Sequence, residues 1–146
     1  VSNKISTIVT KIKAAADALV ASGVLRIVKE EELNVFTEPN LPALSVTVDR
    51  FKPSGGTQLV PDWTATFLIF LADRRGSTRT DQALLDRIGE VDAVLAALAD
   101  SAALGGTLER GEWVPFGVVD RTHQIAALAV CAACTITVKF KGPLKT

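Results

Sequence analysis

The run IAALAVCAAC, residues 125–134, continues into TITVKF with no glycine, proline or capping residue between, and this join constrains the fold more than any other stretch. By propensity the alanine-rich part suits a helix. The second part does not: Ile136, Val138 and Phe140 alternate with Thr135, Thr137, Lys139 and Lys141, the pattern of a strand with one wet face. Nothing stops one element and starts another, so one long strand from Ile125 to Phe140 is the simpler reading. Carried backwards, the same phase turns Leu128, Val130, Ala132 and Cys134 inward and Ala127, Ala129, Cys131 and Ala133 outward. The apolar run is about half the ~20 residues that a membrane-spanning helix needs.

The same stretch holds the only chemical motif, a Cys-x-x-Cys, which fits a redox couple, half a zinc site, or two small side chains that never meet. In a strand the two sulfurs point to opposite faces with backbones ~10 Å apart, beyond the ~7 Å reach of a disulfide. In a helix they would share a face, but no strand-to-helix turn precedes Cys131 to activate its thiol. Zinc wants four ligands, and the chain has two cysteines and one histidine. The thiols are therefore read as packing residues. The opening VSNKISTIVTKIK lacks the apolar core of an export signal, Val1 is expected to follow a removed initiator methionine, and reduced thiols in the cytoplasm are expected.

Elsewhere the periodicities are clear. Ile5, Ile8, Val9, Ile12, Ala15, Ala16 and Leu19 predict an amphipathic helix that Ser2 or Asn3 caps and Gly23 ends. Leu25 to Val28, the acidic turn Glu30 to Glu32 and the run from Asn34 to Thr37 predict a weak strand or hairpin, with the glutamates in a solvated loop rather than as metal ligands or acid–base groups. In LSVTVDRF, Leu44, Val46 and Val48 face one side, and Ser45, Thr47 and Asp49 a wet one. Lys52 to Asp62 reads as a loop whose Gly55-Gly56 lacks the Lys-Ser or Lys-Thr of a phosphate cradle. Trp63 to Leu71 is the strongest strand, with Trp63, Ala65, Phe67, Ile69 and Leu71 on one face, and Thr64, Thr66, Leu68 and Phe70 on the other. Its second half is apolar on both faces, which suits a central strand covered by another layer or another subunit.

The loop ADRRGSTRTD brings Arg74, Arg75 and Arg79 close together. Thr78 or Thr80 then caps a second helix with the stripe Leu84, Ile88, Val91, Leu95 and Leu98, ending near Asp100. Gly105-Gly106 and Gly111 mark a loop, and Trp113 to Val119 is a strand that Pro115 places near an edge. These elements specify a single α+β domain over residues 1–146. It holds an antiparallel or mixed sheet of about 4–5 strands, with two amphipathic helices packed on its one dry face.

Sixteen basic and sixteen acidic residues cancel, which removes the broad positive field of a protein whose work is gripping phosphate backbones. His123, beside Asp120 and Arg121, could begin a general-base argument. No nucleophile sits in a recognisable elbow, however, and this stretch reads as a turn between strands. Triads do assemble from distant residues, but no catalytic, cofactor-binding or metal-binding residue is assigned. Trp63 and Trp113, each next to an acidic residue at a strand head, flank the core or anchor an interface.

In order, length and pattern, nearly the whole chain resembles the tail-terminator, or tail-completion, proteins of long-tailed bacteriophages and related gene-transfer particles. The resemblance runs through ISTIVTKIKAAADAL, LPALSVTVDR, WTATFLIFLAD, DQALLDRIGEVDAVLAAL, WVPF and TITVKF. It implies a structural virion protein with no enzymatic activity and no cofactor. Such a protein forms a ring, typically a hexamer, that caps the tail tube, ends its polymerisation and joins tail to head. Its partners would be further copies of itself, the tail tube protein and head–tail connector proteins, with DNA met only in passage through the pore and no membrane. It would be assembled in the host cytoplasm and reside at the tail–head junction of the virion. On this reading Leu68, Phe70, Arg74, Arg75, Arg79, Ala127, Ala129, Cys131 and Ala133 are candidates for the subunit or tube interface. Two other readings compete: a different connector subunit such as a stopper or adaptor, and a small cytoplasmic enzyme or ligand-binding domain with a polar pocket around Asp120 and His123.

Overall fold

The computed structural model describes residues 3–30, 42–57, 60–74, 80–99, 106–118 and 129–145. Helix α1, Lys4–Ala21, buries Ile5, Ile8, Val9, Ile12, Ala16 and Leu19 along one side. Asn3 caps it, Oδ1 accepting from the Ile5 N–H at 2.8 Å. Gly23, at φ +85°, supplies the left-handed turn that stops it. Helix α2, Thr80–Ala99, buries Leu84, Ile88, Val91 and Leu95, with Leu98 packed at the margin. Both stripes follow the predicted spacing, except that Ala15 is only half-buried, and neither helix would hold alone without a surface to cover.

That surface is one mixed sheet built from β1 (Ile27–Lys29), β2 (Ala43–Gly56), β3 (Pro61–Arg74), β4 (Thr107–Arg110), β5 (Val114–Val118) and β6 (Ala129–Lys141). The order is β1-β2-β3-β6, and β4 and β5 share the outer edge of β6. The sheet is thus five strands wide, an α+β fold as the sequence predicts. Only the β1–β2 pairing is parallel; β2–β3, β3–β6, β6–β4 and β6–β5 are antiparallel.

The registers Leu44↔Leu71↔Ala132, Val46↔Ile69↔Cys134 and Phe67↔Ile136 stack the apolar residues into rows on one face. Both helices pack there, and the core cluster draws on α1, α2, β1, β2, β3 and β6. The final strand is extended over all its described length. Its inward set, Ala132, Cys134, Ile136, Val138 and Phe140, lies within that core as the phase requires.

Three expectations need correction. Residues 52–56, read as loop, belong to β2, and 61–62 belong to β3. The period of two is broken by register shifts at Val48/Arg50 and Pro53/Gly55, each leaving one residue outside the ladder. Ser45, assigned to a wet face, is buried, because this end of the sheet is dry on both sides. Thr107 to Arg110, also read as loop, forms β4. A Cβ at Gly106 would come within 2.4 Å of the Lys139 carbonyl oxygen, and one at Gly111 within 2.3 Å of Thr135 Oγ1. These glycines let the segment lie against β6, whereas sequence reading takes them only as turn signals. The run 34–37, the cap Thr78 and the start of the last strand at 125–128 lie outside the described residues.

Phe67 is fully buried at the centre of β3, whereas Phe51 on outer β2 is 51% exposed. Phe67→Ala is expected to cost about 3–5 kcal/mol and Phe51→Ala no more than about 1 kcal/mol, as read from urea denaturation of the two variants.

Candidate assembly interface

Strands β2 and β3 have 14 residues each and extend roughly 46 Å at ~3.3 Å per residue. Helix α1 has 18 residues and α2 has 20, which at ~1.5 Å per residue gives roughly 27 and 30 Å. Helix α1 nonetheless runs from the Lys141 end of the sheet, where Lys4 Nζ donates to the Lys141 carbonyl oxygen, to the Pro42 end, where the turn after it pairs through the Arg26 N–H. Among the described residues, the outer half of β2 is exposed from Arg50 to Gly56.

Beyond Ser45, no strand among the described residues pairs with the outer side of β2. Among the described residues its outer backbone edge is unpaired from Val46 onward. The bulge at Asp49 resets the alternation, so that Val48 opposite Phe67, Phe51 opposite Ala65 and Pro53 opposite Trp63 all lie on the helix side of the sheet. Val48 is 40% exposed there, and the Phe51 ring leans on Trp63 with centroids 6.3 Å apart. Arg50 and Lys52, opposite Thr66 and Thr64, occupy the other face. In the same rows of that face stand Thr137 and Lys139 of β6 and Thr107 and Glu109 of β4. Thr66 and Thr137 share a hydroxyl hydrogen bond at 3.4 Å, and Lys139 Nζ meets Glu109 Oε1 at 3.2 Å.

The opposite boundary of the sheet is β4 and β5. Among the described residues nothing pairs beyond them, and Pro115 sits in this edge as expected. Leu108, opposite Val138, and Arg110, opposite Ile136, lie on the helix side. Arg110 Nη1 donates to Asp92 Oδ1 of α2, and Trp113 Nε1 donates to the same oxygen at 3.2 Å. Trp113 thus flanks the core while its ring nitrogen ties the edge to the helix. Burial works to raise the Asp92 carboxyl, but the hydrogen bonds from Arg110 and Trp113 and the Arg110 charge outweigh it and hold it below 3.8.

At the dry end, Asp73 is buried and accepts a hydrogen bond from Arg87 Nε at 2.7 Å. Arg87 also donates to the Val24 carbonyl oxygen, joining α2, β3 and the turn after α1. An open cleft of about 550 Å³ lies beside this pair, lined also by Arg26 and Pro42. Another, of about 420 Å³, runs along α1 past Thr10, Lys13 and Glu30. Among the described residues no group of three or more His, Cys, Asp and Glu could hold a metal ion, and no helix is long and apolar enough to cross a membrane.

The interface candidates read from sequence fall in several places. Leu68 and Phe70 are half-buried on the face away from the helices, with Ala133 opposite Phe70 and Cys131 opposite Ala72. Ala133 and Cys131 have the outward parity assigned to them but are buried within the single chain, so they offer a neighbour no surface. The backbone of Ala129 pairs with that of Arg74 at the strand ends. Arg75, Arg79, Ala127, Asp120 and His123 lie outside the described residues. Sequence reading missed Val48, Phe51, Leu108 and Glu109. The available signal was the three-residue spacing of Val48 and Phe51, which breaks alternation as a bulge does.

No protein-family model matches the chain, and none of the curated proteins matches it in sequence.

Cys131 and Cys134 are free and buried on opposite faces of β6, and burial pushes both thiols up to about 12. Neither is expected to react with a maleimide in the folded protein, and both should react once it is unfolded, as intact mass would report. Asp92 contributes stability that is fully present above the ordinary carboxylate range and is lost as pH falls through its lowered value, below 3.8. Asp92→Asn is expected to lower stability by about 1 kcal/mol at neutral pH and to flatten the loss in acid, read from urea denaturation over a pH series.

Proposed function

We propose that this protein is a structural ring subunit that caps the tail tube of a phage-like particle, ends tube growth and joins the tail to head connector proteins. The observation that carries this reading is the pair of edges, at one end of the sheet, that are unpaired among the described residues. There the strands run β2-β3-β6-β4 in strict antiparallel alternation. A following copy, rotated but not inverted, can therefore add its β2 beside β4 without breaking the alternation. A contact between two different surfaces that repeats head to tail closes into a ring when the rotation allows. The exposed Val48 and Phe51 support an assembling role, since apolar residues grouped on an edge strand are an aggregation hazard in a free monomer.

The resemblance in element order to tail-terminator proteins supplies the kind of ring, with further copies, the tube protein and connector proteins as partners and DNA passing through the pore. A net charge of zero suits such a subunit. Electron microscopy of purified tail tubes mixed with the protein tests the assignment. One end of each tube should carry a ring, and tube growth should stop on its addition. Tubes that grow unchanged and stay bare at both ends would overturn it, and a ring that binds only to head connectors would identify a stopper or adaptor instead.

A further inference from the structure

We infer that the ring contact is a specific strand pairing, in which β2 of one copy lies antiparallel to β4 of the next, with Arg50 opposite Glu109, Phe51 opposite Leu108 and Lys52 opposite Thr107. It rests on the assembly reading above and adds the residues and register. The faces decide the register. Phe51 lies on the helix side of the sheet, Arg50 and Lys52 on the other. Leu108 lies on the helix side, Thr107 and Glu109 on the other. Antiparallel pairing in the stated register sets the exposed aromatic against the leucine and the Arg50 guanidinium against the Glu109 carboxylate. Directly opposed residues in such a pair have Cβ atoms about 5 Å apart. Shifting by two residues sets Phe51 against Arg110 and Pro53 against Leu108, which loses the apolar pair.

The charges also decide between neighbours. If β2 paired with β2 of a second copy about Phe51, Arg50 would stand opposite Lys52, and like charges directly opposed are destabilising. Glu109 is held by Lys139 Nζ through Oε1 at 3.2 Å, and both side chains are exposed. A second cation can therefore approach its carboxylate from the edge. Arg50 is well placed to do so, with 77% of its side chain exposed and, among the described residues, an ion pair only to Asp49 at 3.8 Å.

The ends of the contact are fixed as well. The bulge at Asp49 precedes it, Pro53 has no N–H to donate, and Gly106 and Gly111 bound β4. These features stop β2 from pairing indiscriminately along its length. A contact of so few residues is weak singly and gains strength through closure of the ring.

The buried native thiols leave a quiet background for cross-linking. In Arg50→Cys/Glu109→Cys, a short bis-maleimide added to the assembled protein should give a ladder of covalent multimers, while each single variant gives none. Arg50→Glu and Glu109→Arg should each weaken association by about tenfold, read by sedimentation, and the double reversal should restore it. Assemblies that form normally with either reversal, or Arg50→Cys alone cross-linking to dimers, would overturn the pairing while leaving a ring in place. Wild-type protein that neither associates at its highest soluble concentration nor decorates tubes would overturn the ring reading and the pairing with it.

Discussion

The hydrogen bonding of β3 on both sides is the constraint on which the rest depends. It pairs with β2 from Pro61 to Ala72 and with β6 from Asp62 to Arg74, so its backbone groups are satisfied along almost its full length. Such a strand must sit in the middle of a sheet, and it fixes the length of both neighbours. It also fixes the core, because the row Ala65, Phe67, Ile69 and Leu71 can be buried only if β2 and β6 present matching residues. Helix α1 lies along this face from Lys4, beside Lys141, to the turn that meets Pro42. Among the described residues the outer half of β2 stays exposed beside it.

Polar ties hold the layers in place where apolar packing alone would let them slide. Asp73 and Arg87 clamp the dry end, with Arg87 reaching the Val24 carbonyl oxygen as well. Asp92 holds the far side by accepting from both Arg110 and Trp113, which connects α2 to the β4 edge. The first pair is largely withdrawn from water, so removing one partner would strand a buried charge. The second is more exposed and gains from the convergence of two donors on one oxygen. Together they position α2 so that the exposed edge of β4 keeps a fixed relation to the core beneath it.

The sequence made the buried parts legible and the edges obscure, for one physical reason. Strand β3, the second half of β6 and both helices bury a continuous face, so their apolar residues keep the period of the element throughout. Outer β2 does not, because Pro53, Gly55-Gly56 and two bulges interrupt the alternation. Strand β4 reads as Thr-Leu-Glu-Arg, with one apolar residue, since an edge lying against a single neighbour buries little. The parity of Cys131 and Cys134 could be read from the phase of β6, yet not that both would be buried, which depends on what covers each face. The candidate interface was the part least visible, because it lies where the period breaks.

The bulge at Asp49 has a further consequence. With a regular ladder through that position, Arg50 would come to stand opposite Ala65 and Phe51 opposite Thr64, interchanging the charged and apolar sides of the outer hairpin. The row from Leu44 to Phe67 and everything beneath the helices would be untouched. One looped-out residue therefore acts as a polarity selector, and what the hairpin displays to its surroundings is set by counting residues rather than by choosing them.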